Sequence, residues 1–155
     1  MRTIKGPAIF LAQYLGDAAP FDSLPHLAQW AAGHGYAALQ IPTDPRLIDL
    51  QQAATSQAYC DDLLGMLESY GLQISELSTH LQGQLVAVHP AYDSLFDGFA
   101  PAAVRGNPAA RTAWAIEQLM LAAQASQRLA CARTSPSRAR WPGRIYTRGR
   151  NGRKA

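Results

Sequence analysis

Residues 36–80, YAALQIPTDPRLIDLQQAATSQAYCDDLLGMLESYGLQISELSTH, carry the reading on which the fold depends. The stretch opens on a strand-like run, Tyr36-Ala-Ala-Leu-Gln-Ile41, closed by Pro42, which has no N–H to give a ladder. Residues 46–50 suggest a turn or short helix. Ala54, Leu63, Met66, Leu67 and Tyr70 then recur at helical spacing and predict one helix over about 51–70. Gly71 stands where a helix C-terminus takes a left-handed residue. Residues 72–79 return to a strand, with Ile74 and Leu77 as core candidates. The two strands lie too far apart for a hairpin, so the unit is a parallel crossover.

The flanks repeat the pattern. Residues 6–13 read as a short buried strand, with Pro7 tolerable near its start. A helix follows, with Ser23 at its N-cap, Pro25 in its first turn, and Leu24, Leu27, Trp30 and Ala31 on one face. Gly33 and Gly35 end it. On the other side, 80–106 is a long loop with two apolar runs, and loops of this length in compact domains are usually functional. Asn107-Pro108 then begins a helix that passes Trp114, Met120 and Leu121 and ends near Arg128. Three successive strand–helix units imply an α/β fold with a parallel sheet. A doubly wound nucleotide-binding sheet needs a glycine-rich turn after its first strand. Gln13-Tyr-Leu-Gly-Asp17 lacks that fingerprint, so a (β/α)8 TIM barrel is preferred.

Composition narrows the function classes. Of 155 residues, 48% are hydrophobic and 16% charged, which suits one globular domain and argues against global disorder. No run approaches the roughly 18 apolar residues of a membrane span. Gly6, Pro7, Gln13 and Asp17 interrupt the N-terminal apolar run, so a secretory leader is not expected. Cys60 and Cys131 form neither a disulfide framework nor a metal motif. Cys60, with no His or basic neighbour in sequence, reads as a structural thiol. A soluble cytoplasmic protein without membrane contact is the expectation. No Walker loop, Ser-His-Asp motif or clustered zinc signature is present.

Charge divides the chain unevenly. All 11 acidic residues lie in 1–127, against five basic ones (Arg2, Lys5, Arg46, Arg105 and Arg111), a balance of −6. Residues 128–155 carry eight arginines and Lys154 with no acid, a balance of +9. The chain therefore reads as residues 1–128 forming the domain and 129–155 a disordered Arg-rich tail without strand periodicity. Arg, Ala, Pro and Gly codons begin with G and C pairs, so a GC-rich gene read out of frame fills with these residues. A frameshift near codon 128 is the preferred account. With suitable synonymous codons, the neighbouring frame continues LGLRAHVTFSG, a helix end followed by a strand. The rival account is a natural arm that neutralises phosphates non-specifically, with Trp141 or Tyr146 stacking on nucleic-acid bases.

The phrases GPAIFLAQYLGDAAPF, GYAALQIPT, YGLQISELSTHLQGQLVAVHPAYDSLFDGFAP and AVRGNPAAR resemble the N-terminal part of a sugar phosphate isomerase/epimerase of the xylose-isomerase-like TIM-barrel superfamily. The resemblance covers about residues 1–128 and is most specific over 70–101. It implies a sugar or sugar phosphate substrate. It also implies a divalent metal (Mn, Mg, Co or Zn) and proton transfer between adjacent carbons by paired acidic residues. Those acids come largely from the second half of such barrels. A full barrel takes about 250 residues and eight units, so this chain holds a partial (β/α)8 barrel and is expected to be inactive alone. A split barrel completed by a second chain is the alternative. Three strands cannot close a barrel, and the third should expose an edge prone to self-association.

Chemistry in barrels sits at the C-terminal ends of strands. There the resemblance aligns His80 with the histidine of a Ser-Thr-His segment, as a metal ligand or substrate contact. A loop histidine satisfied by backbone is the plainer reading. Gln40 stands where relatives often carry glutamate; it can orient a hydroxyl but cannot shuttle a proton. Glu76 is a weak catalytic candidate whose face alternation does not settle. His89 and Tyr92 belong to either a substrate lid or a self-packed loop. His26 and His34 are expected outside. Trp30 and Trp114 are expected to pack helices against the sheet.

Overall fold

In the computed structural model, residues 4–130 and 133–135 are described. Three parallel strands, β1 (Ala8–Phe10), β2 (Ala38–Pro42) and β3 (Gln73–Ser78), are extended by a short fourth, β4 (Arg133–Ser135). Their order in the sheet is the order of the sequence. Between them run helices α1 (Leu24–Gly33), α2 (Leu50–Thr55) and α3 (Gln57–Ser69). After β3 come the single turns α4 (His80–Gly83) and α5 (Asp93–Phe96), and then the long α6 (Pro108–Arg128). The fold is α/β. Among the described residues, no helix is long and apolar enough to cross a membrane.

Most predicted boundaries hold, for local reasons. Ser23 occupies the N-cap of α1, with proline in the first turn. Asn107 caps α6 by accepting a hydrogen bond from the Ala110 N–H, and Pro108 follows at the first helical position. Gly71 takes φ +73° between α3 and β3, a conformation that costs an ordinary residue about 1–2 kcal/mol. Four expectations change. The first strand is shorter, because Leu11–Tyr14 tighten into a 3-10 turn. The single helix expected over 51–70 is two, because Ser56 is extended and caps α3 by accepting from the Tyr59 N–H. Tyr70, placed on the buried stripe, is exposed instead.

The fourth change concerns the sheet edge. No strand was expected beyond Arg128, yet β4 pairs with β3 in parallel, matching Glu76 with Arg133, Leu77 with Thr134 and Ser78 with Ser135. A ladder is made by backbone groups, which an Arg-Thr-Ser segment supplies without apolar alternation. The C-terminal part of β3 is thus covered, and the free edge passes to β4. Ala130 makes the turn from α6, at φ +49°, the one positive value among the described non-glycine residues. The expected disorder of the tail, its Trp141 and Tyr146, and Cys131 fall outside the described residues.

The core lies between the helices and one face of the sheet. Ile9, Leu39, Ile41, Ile74 and Leu77 meet Leu27, Ala31, Leu67 and Ala125 there. Right-handed crossovers between neighbouring strands put every connecting helix on the same side. Trp30 packs with Tyr14 and Phe21, as expected of a helix-packing tryptophan. Cys60 is fully buried and its Sγ donates to the Ala53 carbonyl at 3.2 Å. Burial pushes that thiol up from its ordinary pKa, which keeps it protonated and inert.

A polar row and a cleft at the strand ends

The opposite face of the sheet carries the polar groups. Strand alternation alone would place Glu76 with Ile74, facing the helices. A register shift intervenes: Leu39 pairs with Ile74, but Gln40 pairs with Glu76. Ser75 is the extra residue, and its hydroxyl donates to the Leu39 carbonyl at 3.0 Å. One inserted residue reverses the parity of a strand. Ile74 and Leu77 therefore both face the core, and Glu76 shares a face with Gln40. The Gln40 side-chain amide donates to the Glu76 carboxylate. Phe10 is Gln40's register partner on β1, so Phe10, Gln40 and Glu76 form one row across three strands.

His80 stands one step beyond that row, at the end of β3. Its ring meets Phe10 edge-on, with centroids 5.2 Å apart, and its Nδ1 lies 3.4 Å from the Ser78 hydroxyl. Partial burial holds its pKa below the ordinary 6.5, which favours the neutral imidazole at neutral pH. Among the described residues, its ring contacts are with these two side chains. Beside it, Thr43 and Gln82 lock the β2 and β3 ends together. The Thr43 hydroxyl lies 3.2 Å from the Ser78 carbonyl and 3.0 Å from the Gln82 side-chain oxygen, and Gln82 Nε2 donates to the Thr43 carbonyl at 3.1 Å.

These strand ends open onto a cleft of 450 Å³. His80, Thr43 and Gln82 form its floor on the sheet side, and Phe99, Arg105 and Trp114 belong to its other wall. Trp114 thus packs against the small core of Leu85, Ala100 and Ala115 and also lines the cleft, a double role its helical spacing did not reveal. The long loop is divided in use. Its 98–105 portion reaches the cleft. His89 and Tyr92 do not line it; they are exposed and face each other at 6.0 Å, and His89 Nδ1 accepts from the Ala91 N–H. For those two residues the self-packed reading fits the geometry. His26 and His34 are exposed, as expected.

Sequence reading missed the residue that pins this loop. Arg111, on α6, is fully buried, and its guanidinium donates to Asp97 at 2.7 Å, to the Asp93 carbonyl at 2.8 Å and to the Asp93 carboxylate. Its hydrogen bond, with that of the Gly106 N–H, holds Asp97 below the usual carboxylate range. The signal was a lone basic residue on a helix otherwise facing apolar neighbours, and nothing local pairs it with acids 14 and 18 positions earlier.

A metal fit follows from donor chemistry. Hard divalent ions need several converging oxygen or nitrogen donors. Among the described residues, no group of three or more His, Cys, Asp and Glu side chains is placed to hold one. The row of Glu76 and Gln40 with His80 beyond it is arranged for hydrogen bonding to a polar molecule. Compared with models of known protein families and with curated proteins, the chain finds no match.

Proposed function

We propose that the chain is the N-terminal portion of a (β/α)8 barrel that handles a sugar or sugar phosphate, contributing substrate contacts to an isomerase or epimerase without completing its proton-transfer machinery. The observation that carries this reading is the cleft at the C-terminal ends of sequentially ordered parallel strands, whose lining includes His80 though not Gln40 or Glu76, which pair on the sheet before it. A singly wound order with helices on one side is that of a barrel wall, and such walls place their chemistry at that end. In this reading the face bearing Phe10, Gln40 and Glu76 is the barrel interior. Gln40 holds the Glu76 carboxylate in place, and together they orient a hydroxyl. Neutral His80 offers a second hydrogen-bonding group. The described residues do not assemble a metal donor set, so we assign them binding and orientation alone.

Titration of the isotope-labelled chain with D-fructose and D-fructose 6-phosphate, followed by amide NMR, tests the reading. Saturable shifts are expected at Gln40, Thr43, Glu76, His80 and Gln82, with His80→Ala weakening the response severalfold. Binding confined to other residues, or no saturable response to either compound, contradicts it.

A further inference from the structure

The cleft also contains an asymmetry of charge. Two arginines reach it, and they are engaged differently. Arg46 is spent: its Nε and terminal nitrogen grip both Asp44 oxygens, at 3.0 and 2.9 Å, in a bidentate pair. Arg105 is held at one point only, where its Nε donates to the Ala100 carbonyl at 2.8 Å. That carbonyl belongs to a residue only 3% exposed, so the anchor is firm. The bond orients the planar guanidinium and leaves its two terminal nitrogens without a hydrogen-bond partner among the described residues. Asp97, an acid that feels its charge, is already committed to Arg111 and the Gly106 N–H. The lining of the cleft therefore balances one acid against two arginines, and the unbalanced charge is Arg105.

We propose that Arg105 is the anion-binding residue of this cleft, which selects a small hydroxylated molecule bearing a phosphate or carboxylate over its neutral counterpart. This rests on the carbohydrate reading above and narrows its substrate class. A guanidinium whose Nε is fixed presents its two outer nitrogens as a fork, the geometry that matches two oxygens of one anion. Thr43, Gln82 and His80 on the opposite wall supply partners for hydroxyls. Phe99 and Trp114 supply apolar faces for the C–H side of a sugar.

Calorimetric titration of the full chain with D-fructose, D-fructose 6-phosphate and D-gluconate tests the proposal, on the wild type, Arg105→Gln and Arg105→Lys. At least one anion is expected to bind about ten-fold or more tighter than fructose, and the larger advantage identifies phosphate or carboxylate as its source. Arg105→Gln should erase that advantage, lowering anion affinity by far more than fructose affinity, and Arg105→Lys should restore part of it. An anion preference that survives in Arg105→Gln overturns the proposal, as does a wild type that binds all three alike. Failure of the wild type to bind any of the three would instead count against the carbohydrate reading itself. Circular dichroism and the melting midpoint check that each variant is folded.

Discussion

At the scale of single residues, the structure depends on one cation that alternation and periodicity do not flag. Arg111 is enclosed and answers two carboxylates that cap the loop over the cleft. Replacing it by alanine leaves a cavity and two acids without their partner. We expect Arg111→Ala to cost about 2–4 kcal/mol in chemical denaturation, within the range for breaking a buried pair from one side. The same pairing sets a pH dependence. Asp97 has a lowered pKa in the folded chain, so its contribution is complete above its ordinary value of 3.8 and is lost as pH falls through the lower folded value. His80 gives the same proton balance at higher pH, through loss of hydration rather than through pairing. Its folded pKa lies below 6.5, so the unfolded chain binds more protons just under that value and stability falls as pH drops through it. Melting curves between pH 7 and 5 should show this slope in the wild type and lose it in His80→Gln. A slope that persists in the variant assigns it to another group.

Between residues and the whole molecule, the elements divide by where their information lies. The start of α6 was legible because Asn107 and Pro108 are local devices, and the turn at Gly71 because a left-handed residue is written into the chain. The break at Ser56 was not, because the apolar stripe runs on through Ala54 and Leu63 and only the cap marks the change of axis. The facing of Glu76 was illegible for a sharper reason. It depends on a one-residue shift against β2, and period-two reading assumes none. His80 and Gln40 could be named from the sequence, but their relation to Arg105 and Trp114 needed the fold. The β4 strand was missed because ladder pairing does not require apolar alternation. Its entry turn, Ala130 at φ +49°, stands where glycine would be unstrained. Ala130→Gly should therefore stabilise the chain by up to about 1 kcal/mol, read as a higher denaturation midpoint; destabilisation would mean that the methyl group packs.

For the molecule as a whole, the charge of the chain changes sign where α6 ends, while the sheet continues past that point into β4. The acidic part forms an α/β layer with a polar row on one face of its sheet, and the basic part begins where α6 ends. With suitable synonymous codons, the neighbouring reading frame would place a glycine at position 130 and a strand-like Ala-His-Val across the β4 positions, which suits the turn and the strand found there. Sequencing the gene across codons 120–155 should show that frame open; immediate stop codons in it would favour a natural basic arm. We propose that the 1–128 layer by itself holds a sugar and moves no proton. Proton transfer beside a carbonyl exchanges carbon-bound hydrogen with solvent. The deciding measurement is the NMR spectrum of D-fructose 6-phosphate incubated in heavy water with the purified chain and manganese, at a concentration where binding is saturated. We expect no deuterium at the carbons flanking the carbonyl beyond that seen without protein; incorporation catalysed by the chain would contradict the account.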